Sequence, residues 1–434
     1  MRRPFLTDIP LNIPSFRDLV AASARVGFLG FGGPAGQIAL MHRVFVDEKK
    51  WIDEPRYLHA LSYCTLLPGP EAQQLATYVG WLLHGVRGGL AAGLLFVMPG
   101  ALLVTALAWL YAAHGEAPWL AAAFWGVKAA VLALVAEALQ RVGKRALKGR
   151  GDLIIAVLAF VALAVFSAPF PLVILAAASV GLAMSRGNRA APREKAAAVG
   201  IGRTLRTTGL WLAIWLVPLA AVVLAFGPSH WLSRVGEVFA ALAAVTFGGA
   251  YAMLAWLQQQ AVEVQGWLTT AQMIDGLGLA ETTPGPLVLV NGFVGFMAGW
   301  NNGGWAWGLT GAAMALWQTF APSFLYIFAG APYAERLRQS PAATGLLRAV
   351  TAAVLGVIAS LALWFALHVV FGEVADVATP WGGRVNVPVW GSFDVWALGL
   401  AVAAGLALIR FHVNVVVVIL ACAGVGLARW MVGG

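Results

Sequence analysis

Two short stretches place anion- and proton-handling residue types inside an otherwise apolar chain. LLPGPEAQQLATYVG at 66–80 sets Pro68, Gly69 and Pro70 before Glu71, Gln73 and Gln74. TTPGPLVLVNGFVG at 282–295 sets Pro284, Gly285 and Pro286 before Asn291. Proline lacks an amide donor and pushes the preceding residue out of helical dihedrals, so each Pro-Gly-Pro breaks its segment. A helix restarting at Pro70 or Pro286 presents free amides and the positive end of its dipole, which suits an anion. Glu71 repels an anion when ionised and donates a hydrogen bond to one when protonated, a chemistry that couples protons to anion movement. As a helix-start carboxylate it would only complement the dipole. Paired structural kinks, and re-entrant hairpins serving as gates, are the other readings of the two breaks.

Other polar residues stand near these elements. Phe31-Gly32-Gly33 and Phe247-Gly248-Gly249 mark points where a helix weakens and backbones approach closely, as crossing points or as simple packing. His42 and Arg43 end the first apolar segment, where they attract an anion at an entrance or anchor the interface. Lys128 lies nine residues before Glu137, too far for a pair on one helix, so it pairs elsewhere, faces a cavity or snorkels. Arg348 is placed to snorkel, and Asp275 and Glu281 are further carboxylates near the second break. His412 and Asn414 interrupt the last apolar stretch and suggest a hairpin tip. No Walker loop, zinc spacing or dinucleotide fold competes, so neither an enzyme nor a metal or cofactor is expected. Cys64 and Cys422 sit in apolar surroundings that demand no disulfide.

The elements that position these residues must be membrane helices. Of 434 residues, 60% are hydrophobic and 11% charged, against about 25% charged in a soluble protein. Positions 151–185 contain one charged residue, Asp152, and 349–371 none. The expectation is an all-α polytopic membrane protein. Its apolar segments fall near 19–41, 58–83, 88–112, 118–139, 151–167, 169–185, 208–226, 235–257, 270–298, 304–330, 343–371, 393–409 and 411–430, thirteen in all. The basic loops at 140–150 and 185–206 are expected inside, which makes 151–185 a tight hairpin with its tip outside. The stretch 372–392 is expected outside and 335–348 inside. The net charge of +9 is concentrated in such loops, so it orients the chain in lipid and does not mark nucleic acid.

The two halves match at a constant offset of 216: Phe31-Gly32-Gly33 with Phe247-Gly248-Gly249, Trp51 with Trp267, and Pro68-Gly69-Pro70 with Pro284-Gly285-Pro286. Six segments, a linking span at 208–226 and six more place the copies in opposite orientations. Inverted repeats with broken or re-entrant helices are a plan of secondary transporters, with the site near the midplane. The expected organisation is a repeat at 14–185, a basic loop and linking span at 186–230, and an inverted repeat at 231–432. The glycine-rich faces suit packing within one chain or between two chains of a homodimer.

GGPAGQIALMH at 32–42 and LLPGPEAQQLATYVG at 66–80, echoed by TFGGAYAMLAW at 246–256 and TTPGPLVLVNGFVG at 282–295, resemble the chromate ion transporter family. The resemblance covers nearly the whole chain. It implies a carrier that exports chromate across the bacterial inner membrane, with sulfate as a competing structural analogue. The family pattern carries over to Phe31, Gly32, Gly33, Pro68, Gly69, Pro70, Glu71 and Gln74, and to Gly248, Gly249, Pro284, Gly285, Pro286 and Asn291. Glu71 and Gln74 align with Leu287 and Val290, so two identical half-sites are not expected. A carrier importing sulfate or another oxyanion, an anion channel and a membrane scaffold without flux remain alternatives.

Overall fold

The computed structural model describes residues 13–31, 33–115, 117–185, 201–247, 250–333, 341–380 and 383–433. Gly32, Gly248 and Gly249, most of the basic loop at 185–206 and the start of the one at 335–348 lie outside the described residues. The first half runs α1 (Phe16–Leu29), α2 (Gly33–His42), a π-helical turn (Arg43–Glu48), α3 (Glu54–Cys64), α4 (Glu71–His114), α5 (Pro118–Ala146), α6 (Arg150–Ala164) and α7 (Phe170–Ser185). The second runs α8 (Ile201–Phe226), α9 (Trp231–Val245), α10 (Ala250–Gln258), another π-helical turn (Gln259–Val264), α11 (Thr270–Thr282), a 3-10 turn (Leu287–Leu289), α12 (Val290–Trp300), α13 (Trp305–Gly330), α14 (Pro341–Val370), α15 (Val395–Ile409) and α16 (Val415–Met431). Capping side chains set several starts. Ser15 accepts from the Asp18 amide at α1, Asp53 from Arg56 at α3, Asp394 from Trp396 and Ala397 at α15, and Asn414 from Val416 at α16.

Among the described residues, five helices are long and apolar enough to cross a membrane: Glu71–His114, Pro118–Ala146, Thr204–Phe226, Trp305–Gly330 and Thr344–Val370. The apolar segments at 19–41, 235–257 and 270–298 each contain two short helices separated by a break, and 58–83 holds the short α3, a break and the start of α4. α3 and α12 have 11 residues each, which is about 16 Å of helix against a hydrocarbon core of about 30 Å. Neither α3 nor α12 is long enough to cross alone. α4 is itself interrupted at His84 and Gly85, where Gly85 has φ 64°. Its two parts then pack so closely that a Cβ on Gly80 would collide with the carbonyl of Gly88, and Gly295 of α12 meets Gly311 of α13 in the same way. The stretch at 372–392 holds an antiparallel hairpin, Val374–Ala378 with Arg384–Pro388, pairing Asp376 with Asn386.

Element order recurs down to hydrogen bonds. The π-helical turn at Arg43–Glu48 returns at Gln259–Val264, 216 positions on. In the first the Trp51 amide donates to Phe45 (3.0 Å), and in the second the Trp267 amide donates to Ala261 (2.8 Å).

The chain forms two compact units, each drawn from both halves. The first comprises Met1–Ala106, Gly187–Ala250 and Thr283–Thr344; the second comprises Leu107–Arg186, Tyr251–Thr282 and Gly345–Gly434. In the first, α12 packs on α13, which also meets α8 and α9. In the second, α5 is the central helix, packed by α11, α15 and α16. Gly126 of α5 lies against the Cys422 carbonyl of α16, an approach that small residues permit between membrane helices.

Candidate functional site

The first unit holds both Pro-Gly-Pro breaks. Gly69 and Gly285 have φ of 95° and 100°, a left-handed conformation open to glycine. Each glycine amide donates to a helix end from the other half of the sequence. Gly285 N–H reaches the carbonyl of Gly30, which caps α1 (2.9 Å), and Gly69 N–H reaches that of Thr246, which caps α9 (2.9 Å). Gly30 and Thr246 are themselves 216 positions apart. The last carbonyls of a helix have no partner within it. The two breaks thus supply donors to the two helix ends, each across the halves.

Side chains brace the breaks unequally. Gln74 Nε2 donates to the Pro68 carbonyl (2.7 Å). Gln37 of α2 donates through Nε2 to the carbonyls of Gly30 and Gly285. The position matching Gln37 is Met253 and that matching Gln74 is Val290, so neither brace is duplicated. α4 begins at Glu71, directly after Pro70, whose carbonyl accepts from the Gln74 amide (3.1 Å). Proline therefore sits just outside the helix. After Pro286 a 3-10 turn intervenes and α12 starts only at Val290, which makes Asn291 its second residue. Asn291 donates to Thr319 of α13 (2.8 Å).

Exposure also differs. Pro68, Gly69 and Glu71 are half-buried, whereas Thr283 to Val290 are buried throughout. Behind the first break, Gln73 is fully buried with neither its amide oxygen nor its nitrogen hydrogen-bonded. The Oε1 atoms of Gln37 and Gln74 and the hydroxyl of Thr246 are likewise buried without a partner. Leaving one such group unsatisfied costs about 1–3 kcal/mol. Gln73 and Gln74 lie in the first turn of α4, whose leading amides have no partner within the helix.

The remaining candidates are dispersed. Phe31 is half-buried between α1 and α2, and Gly33 opens α2 with φ 69°. His42 is held between Asp47 (3.2 Å) and Glu54, while Arg43 is exposed. Lys128 belongs to the second unit, where its Nζ lies 3.5 Å from Asp275. Arg348, expected to snorkel, instead forms a two-pronged pair with buried Asp152 (2.8 and 2.9 Å). Its half-exposed side chain still reaches outward, but the carboxylate at the start of α6 fixes its head. Glu281 accepts from Tyr251 (3.0 Å). Among the described residues, no group of three His, Cys, Asp or Glu side chains is placed to hold a metal. Sequence reading passed over Gln37 and Thr246. The signal for Gln37 was its being the lone amide in GPAGQIALMH; Thr246, acting through its carbonyl, left none.

The profile of the family described as "Chromate transporter" matches residues 17–182 and again 233–427. The chain is 33% identical over 427 residues to a chromate transport protein of Pseudomonas aeruginosa, covering 96% of this chain and 92% of that one. It is 32% identical over 397 residues to a chromate transport protein of Cupriavidus metallidurans, covering 91% and 92%. A probable chromate transport protein of Synechococcus elongatus is 30% identical over 350 residues, covering 80% and 83%. No solved structure matches. With long apolar helices, broken-helix pairs and two matches to one transporter profile, this multi-pass membrane chain belongs to the chromate transporter family.

Proposed function

We propose that this protein is a secondary carrier that exports chromate across the bacterial inner membrane, from two inverted repeats at 14–185 and 231–432 joined by a basic loop and span at 186–230. The observation that carries the reading is the exchange of main-chain bonds between Gly285 and Gly30 and between Gly69 and Thr246. Each break rests on a helix end of the other half, so moving one repeat against the other must alter both breaks together. Irregular backbone at membrane depth is tolerated where protein or an aqueous cavity covers it. The names of the relatives and the double profile match support the substrate class.

The oxyanion binds at the N-terminal turn of α4, beside Pro68, Gly69, Pro70, Glu71, Gln73 and Gln74. The buried second break, with Pro284, Gly285, Pro286 and Asn291, forms the closed side of an asymmetric site. Phe31 and Gly33 stand at the joint between α1 and α2. Arg43 is an exposed cation for an entrance; the acids holding His42 oppose an anion there. Chromate takes up a proton near neutrality whereas sulfate does not. A singly protonated oxyanion offers both a donor and acceptors, matching an unpartnered Gln73 nitrogen and the unpartnered oxygens of Gln37 and Gln74.

Purified protein in proteoliposomes tests this. Preloaded chromate should drive saturable counterflow of labelled chromate, with a chromate-to-sulfate preference that falls as pH rises through neutrality. Large currents without counterflow identify a channel. Impermeable vesicles refute transport, and equal preference at every pH refutes selection of the protonated ion.

A further inference from the structure

We infer that this carrier is coupled to protons and that Asp275, paired with Lys128 in the second unit, binds and releases the coupling proton; the inference rests on the carrier reading above. Asp275 is buried in α11. Its Oδ2 accepts from the Tyr111 hydroxyl (2.8 Å), and its Oδ1 faces Lys128 Nζ of α5 at 3.5 Å without a hydrogen bond. A second ion pair of this unit, with a buried carboxylate, is closed differently: Arg348 grips both oxygens of Asp152 at 2.8 and 2.9 Å, and the Lys148 amide adds a third bond (2.9 Å). Both oxygens of Asp152 are thus hydrogen-bonded. Asp275 leaves Oδ1 without a hydrogen bond, opposite a cation 3.5 Å away.

The other charged groups near α11 are engaged elsewhere. Along α5, Glu137 pairs with Arg141 (3.8 Å), and both lie near Glu281, which Tyr251 of α10 holds. On α16, Arg429 pairs with Asp394 (3.3 Å) and lies over the Trp125 ring. In the π-helical turn, Glu263 accepts from Gln258 (2.8 Å). An ionisable residue held away from water in a membrane protein is costly and usually tied to ion movement. A proton arriving at Oδ1 neutralises the carboxylate and breaks the pair. Lys128 keeps its charge, and the pair passes from neutral to one positive charge. Release of the same proton restores the pair and the neutral state. The site is thus a two-state element that protonation biases directly.

Proteoliposomes separate the two readings. Counterflow at equal pH on both sides needs no net proton movement, whereas accumulation under an imposed pH gradient does. Asp275→Asn should keep counterflow near the wild-type rate and lose gradient-driven chromate accumulation by about tenfold or more. Lys128→Gln with Asp275→Asn removes both charges at similar volume and guards against misfolding from an unpaired lysine. It too should keep counterflow and lose gradient drive. Gradient-driven accumulation of wild-type size in either variant overturns the proposal. So does a double variant that loses counterflow as well, which makes the pair structural. Wild-type counterflow without gradient drive also overturns it and leaves the carrier reading standing. Absence of wild-type counterflow refutes the carrier reading itself.

Discussion

Gln37 holds two carbonyls, Gly30 and Gly285, with a single amide nitrogen, and so ties the end of α1 to the second break. Gln37→Leu removes that donor and leaves buried carbonyl capacity unmet, at about 1–3 kcal/mol. We expect a lower unfolding temperature and slower chromate counterflow in that variant. Gln74→Leu should act on the first break alone, through the Pro68 carbonyl. An unchanged melting curve for Gln37→Leu would remove it as a brace. His42 makes a pH-dependent contribution outside the spans. The hydrogen bond to Glu54, with Asp47 adding its charge, raises its pKa above the ordinary 6.5. Protonated His42 is therefore favoured in the folded state. Its stabilisation is complete below 6.5 and is lost as pH rises through the raised value. His42→Asn should flatten the fall of the melting temperature that sets in as pH rises above 6.5. A parallel shift at every pH would show that the contact is not charge-dependent.

The breaks are the elements at which the proposed site is placed. Both glycines have positive φ, where a Cβ costs roughly 1–2 kcal/mol. The surroundings then separate them. A Cβ on Gly285 would lie 2.8 Å from Leu289 Cδ1, while one on Gly69 finds Gln74 Nε2 at 3.4 Å and the Ala243 carbonyl at 3.8 Å. Gly285→Ala should thus destabilise more than Gly69→Ala, and both should slow counterflow. Equal melting temperatures for the two variants would contradict the packing argument. The short helices after the breaks depend on tight reversal. The close approaches of Gly80 to Gly88 and Gly295 to Gly311 leave no room for a side chain. Gly295→Leu should abolish folded protein, as measured by monodisperse yield in detergent.

At the scale of the molecule, the first unit takes α1 to α3 and most of α4 from one half, and α9, α12 and α13 from the other. A half expressed alone lacks the donors that satisfy its helix end. Fragments divided within 187–200 should fail to give counterflow singly and recover it when co-expressed and co-purified. Counterflow by one fragment would show that the exchanged bonds are dispensable. The inverted arrangement proposed for the repeats has its own readout. Single cysteines placed at Asp47 and at Glu263, in the two π-helical turns, should react with an impermeant thiol reagent from opposite sides of oriented vesicles. Labelling from one side would make the repeats parallel.

Composition settled that the chain is a helical membrane protein, because so few charges over so long a chain leave no other solvent for its surface. Repetition of Phe-Gly-Gly, tryptophan and Pro-Gly-Pro at one offset settled where helices break, because proline and glycine act locally on the backbone. What the breaks hold on to was not legible: the acceptors are the carbonyls of Gly30 and Thr246, and a carbonyl has no letter in the sequence. The same limit hid the role of Gln37, whose bonds cross 248 positions to Gly285. Lys128 was legible as a charge in need of a partner, but only packing of α5 on α11 selected Asp275 over Glu137. Local chemistry therefore fixes where this chain bends, and tertiary structure alone decides which distant groups satisfy what bending exposes.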